Sequence, residues 1–309
     1  MDVNSMQSFV SELWEQSIVS CLQDYIRIPN KSPHFDPQWQ ANGYMDQAIK
    51  LAYRWCQSHA LTGMHMEIIA LPERTPVLFI DVPGEAGPPI LLYGHLDKQP
   101  EMSGWQDGLD PWIPVRRDDR LYGRGGADDG YAVFASMSAL LALQHLNIPH
   151  RRCVILIECC EESGSFDLPY YLDSLLKRIG VPNLVICLDS GCGNYEQLWL
   201  TSSLRGLIGG TLAIQMLSEG VHSGDASGIV ACTFRIARIL LNRLEDADSG
   251  RIKLADFYTD IPAERKEQAA YTGKLLQQNA YLKFPFISGA QPTSEDIQEL
   301  ILRRTWLPS

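Results

Sequence analysis

Short apolar runs alternate with segments of helical periodicity through the first part of the chain, and this alternation most constrains the fold. Continuous apolar strands between helices are typical of a parallel sheet that is covered on both faces. The sequence therefore predicts an α/β domain with a mostly parallel sheet over residues 1–204. The predicted strands are 77–82, 90–95, 153–158 and 184–188, and the predicted helices are 5–28, 43–60, 131–146 and 168–178.

The pattern changes near Leu204. Residues 207–217 alternate between apolar and polar side chains, which predicts a long strand, and residues 226–244 have the period of an amphipathic helix. We therefore expect a second, smaller α+β domain over residues 205–309.

Composition excludes some classes of partner. The 309 residues carry 26 basic and 37 acidic side chains, a formal net charge of -11, which argues against nucleic acid or an anionic membrane surface. No apolar run approaches the roughly 20 residues of a membrane span. The first residues lack the basic and apolar regions of a signal peptide, so a cytoplasmic location is expected. The eight cysteines form no CxxC pair, and we expect reduced thiols rather than a disulfide framework.

Acidic and imidazole side chains follow the predicted strands. Each group alone has a plain structural explanation: a strand-end histidine bonded to a loop, an aspartate that caps a helix, or a solvated loop edge. Because ligands of open α/β sheets collect at the carboxyl ends of strands, we expect these side chains to share one cavity. A histidine with carboxylates and no cysteine suits zinc, or less selectively manganese or cobalt. The residues are His95 and Asp97, Asp128 and Asp129, Glu161 and Glu162, and Asp189.

The order of these motifs resembles one known family. GHLD at 94–97 is followed by LYGRGGADD at 121–129, EESGS at 161–165 and LDS at 188–190. Trp105 and the pair at 111–112 also fit the loop between the first two motifs. The chain is identified by this resemblance as a member of the di-zinc metallopeptidase family of aminoacylase, carboxypeptidase-G, carnosinase-type dipeptidases and succinyl-diaminopimelate desuccinylase.

The resemblance implies a set of metal ligands. His95, Asp128 and Asp189 would hold one zinc, and Asp128 and Glu162 would hold the second, giving two zinc ions per full-length subunit. Asp97 would support His95 from behind. The peptide bond between Asp128 and Asp129 is expected to be cis.

The resemblance also implies a reaction. Glu161 would act as the general base that activates water to cleave the amide bond of a dipeptide or an N-acylated amino acid. His222 would stabilise the oxyanion in the active site of a partner subunit, which implies a homodimer formed through a lid domain at 205–309. The LYGRGGADD motif slightly favours a dipeptidase over a deacylase.

The sequence departs from the family pattern at two places. Gly130 and Tyr131 stand where the family usually has Lys-Gly, and we expect this to alter the start of the following helix but not the metal site. No histidine follows His222, although the family takes its last zinc ligand from a return segment after the lid. We therefore expect a C-terminally truncated member with both domains incomplete and a weak second metal site. The alternative is an inactive fragment that binds only metal or a partner subunit.

Overall fold

A computed structural model describes residues 3–309 and divides the chain between Ser190 and Gly191 into two compact units. The division falls before the boundary of 204/205 that the sequence predicts. The elements of the first unit are α1 (Val3–Leu13), a π-helical turn (Trp14–Ile18), α2 (Val19–Ile26), α3 (Trp39–Asn42), α4 (Tyr44–Ser58), β1 (His65–Ile69), β2 (Val77–Val82), β3 (Glu85–His95), β4 (Val115–Arg117), β5 (Arg120–Tyr122), an irregular turn (Gly126–Gly130), α5 (Tyr131–His145), β6 (Arg151–Glu158), a 3-10 turn (Glu161–Ser163), α6 (Leu168–Ile179) and β7 (Leu184–Cys187).

The main sheet has the order β1-β2-β6-β3-β7, and its pairing is mixed rather than mostly parallel. β3 is parallel to both β6 and β7, whereas β1–β2 and β2–β6 are antiparallel. The short connection between β1 and β2 permits only an antiparallel pair, since a parallel pair needs a long crossover. β4 and β5 form a separate hairpin.

Alternate residues of the central strands pack into two apolar clusters, as the period of two in a strand requires. Leu78 and Ile155 lie in the cluster that packs against α2, α4 and α5. Phe79 and Val154 lie in the cluster on the opposite face, which packs against α6. The sheet is therefore covered by helices on both faces, as the sequence predicts. The carboxyl ends of β3, β6 and β7 lie at one edge, where His95 pairs with Glu158 in register.

The second unit consists of helices joined by irregular segments. Its helical elements are α7 (Ser223–Ala226), α8 (Thr233–Leu244), a 3-10 turn (Ala255–Phe257), α9 (Ala263–Leu276), α10 (Asn279–Leu282) and α11 (Ile297–Thr305). α9 packs against α11 where Gly273 meets Gln298. The predicted helix at 226–244 forms only from Thr233 onward, after the short α7.

The predicted strand at 207–217 is wrong. Residues 191–309 are all described and contain no strand, only an isolated bridge between Glu245 and Ile252. Leu207 is 98% exposed and Ile208 is 79% exposed. An alternating pattern fits a pleated sheet but stabilises a strand only through neighbouring strands, and this segment has none within the unit. Residues 191–309 therefore lack the strands that the expected α+β domain requires.

No helix between residues 3 and 309 is long and apolar enough to cross a membrane. All eight cysteines are free thiols in this structure.

Candidate metal centre

His95 occupies the last position of β3, and its side chain is fully buried. Its Nδ1 donates to the backbone oxygen of Asp97 at 3.0 Å. The other ring nitrogen, Nε2, lies 3.3 Å from an oxygen of Asp128, 3.6 Å from one of Asp189 and 3.8 Å from one of Glu161. Among the described residues, this buried Nε2 makes no hydrogen bond. The imidazole is thus held from behind and faces three carboxylates.

The carboxylates around His95 stabilise positive charge at this point. Burial alone would lower the pKa of His95, but its interactions with Asp128, Asp189 and Asp97 outweigh burial and raise the pKa well above its usual range. The contact with His95 lowers the pKa of Asp128. A metal cation placed among these groups would balance the negative charge of the same carboxylates.

Asp97 is fully buried behind the site and organises two of its elements. Its Oδ1 and Oδ2 accept the backbone N–H groups of Glu161 and Glu162, each at 3.0 Å. Its Oδ1 also lies 3.4 Å from Nδ1 of His95. Asp97 therefore links the end of β3 to the 3-10 turn after β6, and the supporting role expected for it stays a prediction.

The peptide bond between Asp128 and Asp129 is cis, as the resemblance implies. Asp129 is buried, and its Oδ2 accepts the backbone N–H of His95 at 3.1 Å. Gly94 permits this approach, because a Cβ there would lie 2.6 Å from Oδ2 of Asp129 and 2.5 Å from Cβ of Ala132. Burial raises the pKa of Asp129 to about 8. Asp129 ends the LYGRGGADD motif at 121–129, but the resemblance assigns it no role as a metal ligand.

Glu161 and Glu162 begin the 3-10 turn after β6. Burial raises the pKa of Glu161, and burial raises that of Glu162 to about 7. The side-chain amide of Gln99 donates to Oε2 of Glu162. Oε1 of Glu162 is buried and has no hydrogen-bond partner among the described residues. Gln99 lies two residues after the GHLD motif, but nothing in its sequence context signals this contact.

Two groups of side chains could each hold a metal ion. One comprises His95, Asp128 and Asp189, and the other comprises His95, Glu161 and Glu162, with ligand atoms in each group within 4.8 Å of one another. The first is the ligand set expected for one zinc. The second differs from the expected pair of Asp128 and Glu162. Zinc binds nitrogen and oxygen at about 2.0–2.2 Å, so two ligands of one ion lie at most about 4.4 Å apart. Nε2 of His95 lies 3.3 Å from Asp128 and 3.6 Å from Asp189, which fits a shared ion, and the unpartnered Nε2 supplies a lone pair.

His222 is the one predicted site residue of the second unit. It caps the short α7, where its Nδ1 accepts the backbone N–H of Gly224 at 3.2 Å. Its side chain is 78% exposed. His222 belongs to neither group of candidate ligands, and its role stays a prediction.

Comparison with known proteins assigns this chain to a family. Residues 91–271, more than half of the chain, match the model of Peptidase family M20/M25/M40. The chain belongs to this family, which confirms the resemblance found in its motifs.

Curated relatives include dipeptidases and a desuccinylase. The chain is 30% identical over 230 residues to the Beta-Ala-His dipeptidase of Rattus norvegicus, a match that covers 71% of this chain and 44% of that protein. It is 24% identical to the succinyl-diaminopimelate desuccinylase of Nitratiruptor sp., over 70% of this chain and 58% of that protein. The matches thus span about half the length of these relatives.

Solved structures show the same fold. The di-peptidase Dug1p of Saccharomyces cerevisiae has a TM-score of 0.64 and 20% identity, covering 98% of this chain and 64% of the other. Human carnosine dipeptidase 1 has a TM-score of 0.63 and 19% identity, covering 97% and 64%. At these identities the likeness concerns the fold.

Proposed function

We propose that the chain carries the metal centre of a zinc-dependent hydrolase that cleaves the amide bond of a dipeptide or an N-acylated amino acid. The observation that carries the proposal is the buried Nε2 of His95, which lacks a hydrogen-bond partner among the described residues and faces three carboxylates. A buried polar atom without a partner is costly unless an ion or water completes it. A cation at this point would complete it.

The ligand assignment follows the family resemblance, and the proximity of His95, Asp128 and Asp189 supports its first set. His95, Asp128 and Asp189 would hold the first zinc, and Asp128 and Glu162 would hold the second, with manganese or cobalt as substitutes. Bound zinc lowers the pKa of water and polarises the carbonyl of the substrate.

The protein's own residues would perform the proton transfers. Glu161 would take a proton from the attacking water on a carboxylate oxygen and pass it to the leaving amine. Burial raises the pKa of Glu161, which makes it a stronger base than an exposed glutamate. Asp97 would keep Nδ1 of His95 turned away from the site through the contact with its backbone oxygen.

The substrate class is proposed from the relatives. The Beta-Ala-His dipeptidase acts, by its name, on a dipeptide, and the desuccinylase, by its name, acts on succinyl-diaminopimelate. We infer a dipeptide as the first candidate and an N-acyl amino acid as the second. Both reactions break an amide bond, and the same base and ligands serve both.

The domain roles and assembly are also proposals. Residues 1–204 would form the zinc-binding catalytic domain, and residues 205–309 would belong to a lid through which two subunits pair in the cytoplasm. His222 would then donate to the oxyanion of the partner's substrate, and its mostly exposed side chain is available for such a contact. Sedimentation tests the pairing, and a stable active monomer would contradict it.

The test of the function replaces Glu161 by glutamine. This variant should retain zinc after dialysis, as measured by elemental analysis, and lose nearly all hydrolysis of β-alanyl-histidine and of an N-succinyl amino acid. The matched control is Glu219→Gln, because Glu219 is exposed in the second unit. Equal turnover in the Glu161 variant would remove Glu161 as the base. A wild-type chain that binds zinc and hydrolyses neither substrate would favour the inactive fragment.

A further inference from the structure

Tyr131 connects two elements of the candidate metal centre. It begins α5, directly after the turn that carries Asp128. Its hydroxyl donates to the backbone carbonyl of Leu188, the residue immediately before Asp189. One side chain therefore joins the segments that bear two carboxylates of the first ligand group.

Asp189 is held by fewer neighbouring strands than His95. It follows β7, which lies at the edge of the sheet and pairs with β3 alone within the described residues. Beyond β7, the N–H of Leu188 donates to Tyr93 at 3.2 Å, and the N–H of Ser190 donates to Leu188 at 3.0 Å. His95, in contrast, ends an interior strand that has a neighbour on each side. The hydrogen bond from Tyr131 to the carbonyl of Leu188 links the end of this edge strand to α5.

Gly130, the residue before Tyr131, determines how closely the start of α5 packs against its neighbours. A Cβ at Gly130 would lie 2.1 Å from Cε1 of Tyr25 and 2.7 Å from the backbone oxygen of Gly125. Glycine therefore allows the start of α5 to lie directly against α2. The ring of Tyr131 is partly buried against the apolar cluster that packs on α2, α4 and α5. This packing limits the rotamers of Tyr131 and directs its hydroxyl.

We propose that Tyr131 is a positioning residue for Asp189, and that Gly130 allows the start of α5 to lie where Tyr131 makes this contact. The inference rests on the proposed function, since it concerns a ligand of the proposed zinc. Gly130 and Tyr131 stand where the family usually has Lys-Gly. The inference replaces the expectation that this difference affects only the start of α5. Without the hydroxyl, the end of β7 would lose its link to α5, and Asp189 would sample positions outside ligand distance.

The test measures Co²⁺ binding to metal-free protein by visible absorption. Tyr131→Phe should weaken the tighter Co²⁺ site by about 10-fold, in the range found when groups that orient metal ligands are removed. The control is Tyr171→Phe, because the hydroxyl of Tyr171 donates to Thr75 at 2.7 Å and accepts from Leu71 at 2.9 Å, away from the site. This control should lower thermal stability and leave Co²⁺ affinity unchanged.

Several outcomes would overturn the inference. Wild-type affinity in Tyr131→Phe would do so, and so would an equal loss in both variants, which would indicate general destabilisation. In an Asp189→Asn background, Tyr131→Phe should cause no further loss, and a further loss would show that Tyr131 acts elsewhere. A wild-type chain that binds no Co²⁺ would remove the proposed function itself.

A second readout does not depend on metal. Hydrogen exchange in metal-free Tyr131→Phe should rise in residues 184–190 relative to wild type and stay unchanged there in Tyr171→Phe. Unchanged exchange in 184–190 of the Tyr131 variant would overturn the inference even if the wild type binds metal.

Discussion

The two units of the chain use their apolar residues in opposite ways. In residues 3–190 the central strands β2 and β6 bury their apolar side chains on both faces of the sheet, and β6 contributes six consecutive buried residues, 153–158. The edge strand β7 is the exception, since its residues are exposed. In residues 191–309, Ala269 is the only buried apolar side chain, whereas Phe234 is 76% exposed. The comparison teaches that an apolar pattern specifies an element, but only a packed neighbour converts the pattern into a core that can hold reactive groups in place.

The largest expected effect contrasts one residue type in the two units. Phe79→Ala should reduce the free energy of unfolding by about 3–5 kcal/mol, because it empties a fully buried position between β2 and α6. Phe234→Ala, at an exposed position, should change it by no more than about 0.5 kcal/mol. Urea denaturation measures both, and equal losses would show that the second unit has a core of its own.

A glycine pair sharpens the contrast at the site. Gly94→Ala places a Cβ against Asp129 and Ala132, and overpacking of this kind costs about 1–3 kcal/mol. We expect the start of α5 to be displaced and zinc binding to fall with it. Gly210→Ala meets no atom within 4 Å and should leave both stability and zinc content unchanged. Zinc content at the wild-type level in Gly94→Ala would contradict the close approach.

An aspartate pair tests positioning rather than packing. Asp97→Asn replaces a carboxylate oxygen that accepts a backbone N–H with an amide that cannot accept it. Zinc affinity should fall by about 10–100-fold, as measured by competition with a chromogenic chelator. Asp225→Asn changes an exposed carboxylate of the second unit and should have no effect. A fall in both variants would point to net charge instead of geometry.

The smallest effect lies in the second unit. Arg303 pairs with Glu299 at 2.8 Å one turn away on α11. Arg303→Met should lower the free energy of unfolding by about 0.3–0.5 kcal/mol, the usual contribution of such a helical pair. A loss of several kcal/mol would show that α11 carries far more of the stability than its exposure suggests.

The sequence predicted most elements of the first unit because buried strands and long helices leave strong apolar patterns. It missed β1, which has only five residues and includes the polar His65 and Glu67. It also missed the hairpin of β4 and β5, whose residues at 115–117 and 120–122 show no apolar alternation. It overpredicted a strand at 207–217, because local alternation does not report whether a neighbouring strand exists.

The candidate site was predicted from motifs, and the structure brings His95, Asp128, Glu161, Glu162 and Asp189 together. The contacts behind them were not predictable. Asp129 reaches the backbone of His95, and Tyr131 reaches Leu188, only because α5 packs against the sheet. Such contacts join residues far apart in sequence, and no local pattern encodes them.

The central claim is that the cluster at the ends of β3, β6 and β7 binds metal. Anomalous diffraction at the zinc absorption edge, from crystals of this chain soaked in zinc, tests it most directly. We predict a strong peak within bonding distance of Nε2 of His95 and of carboxylate oxygens of Asp128 and Asp189, and its loss in His95→Ala. The absence of a peak at this position in the wild type would contradict the account.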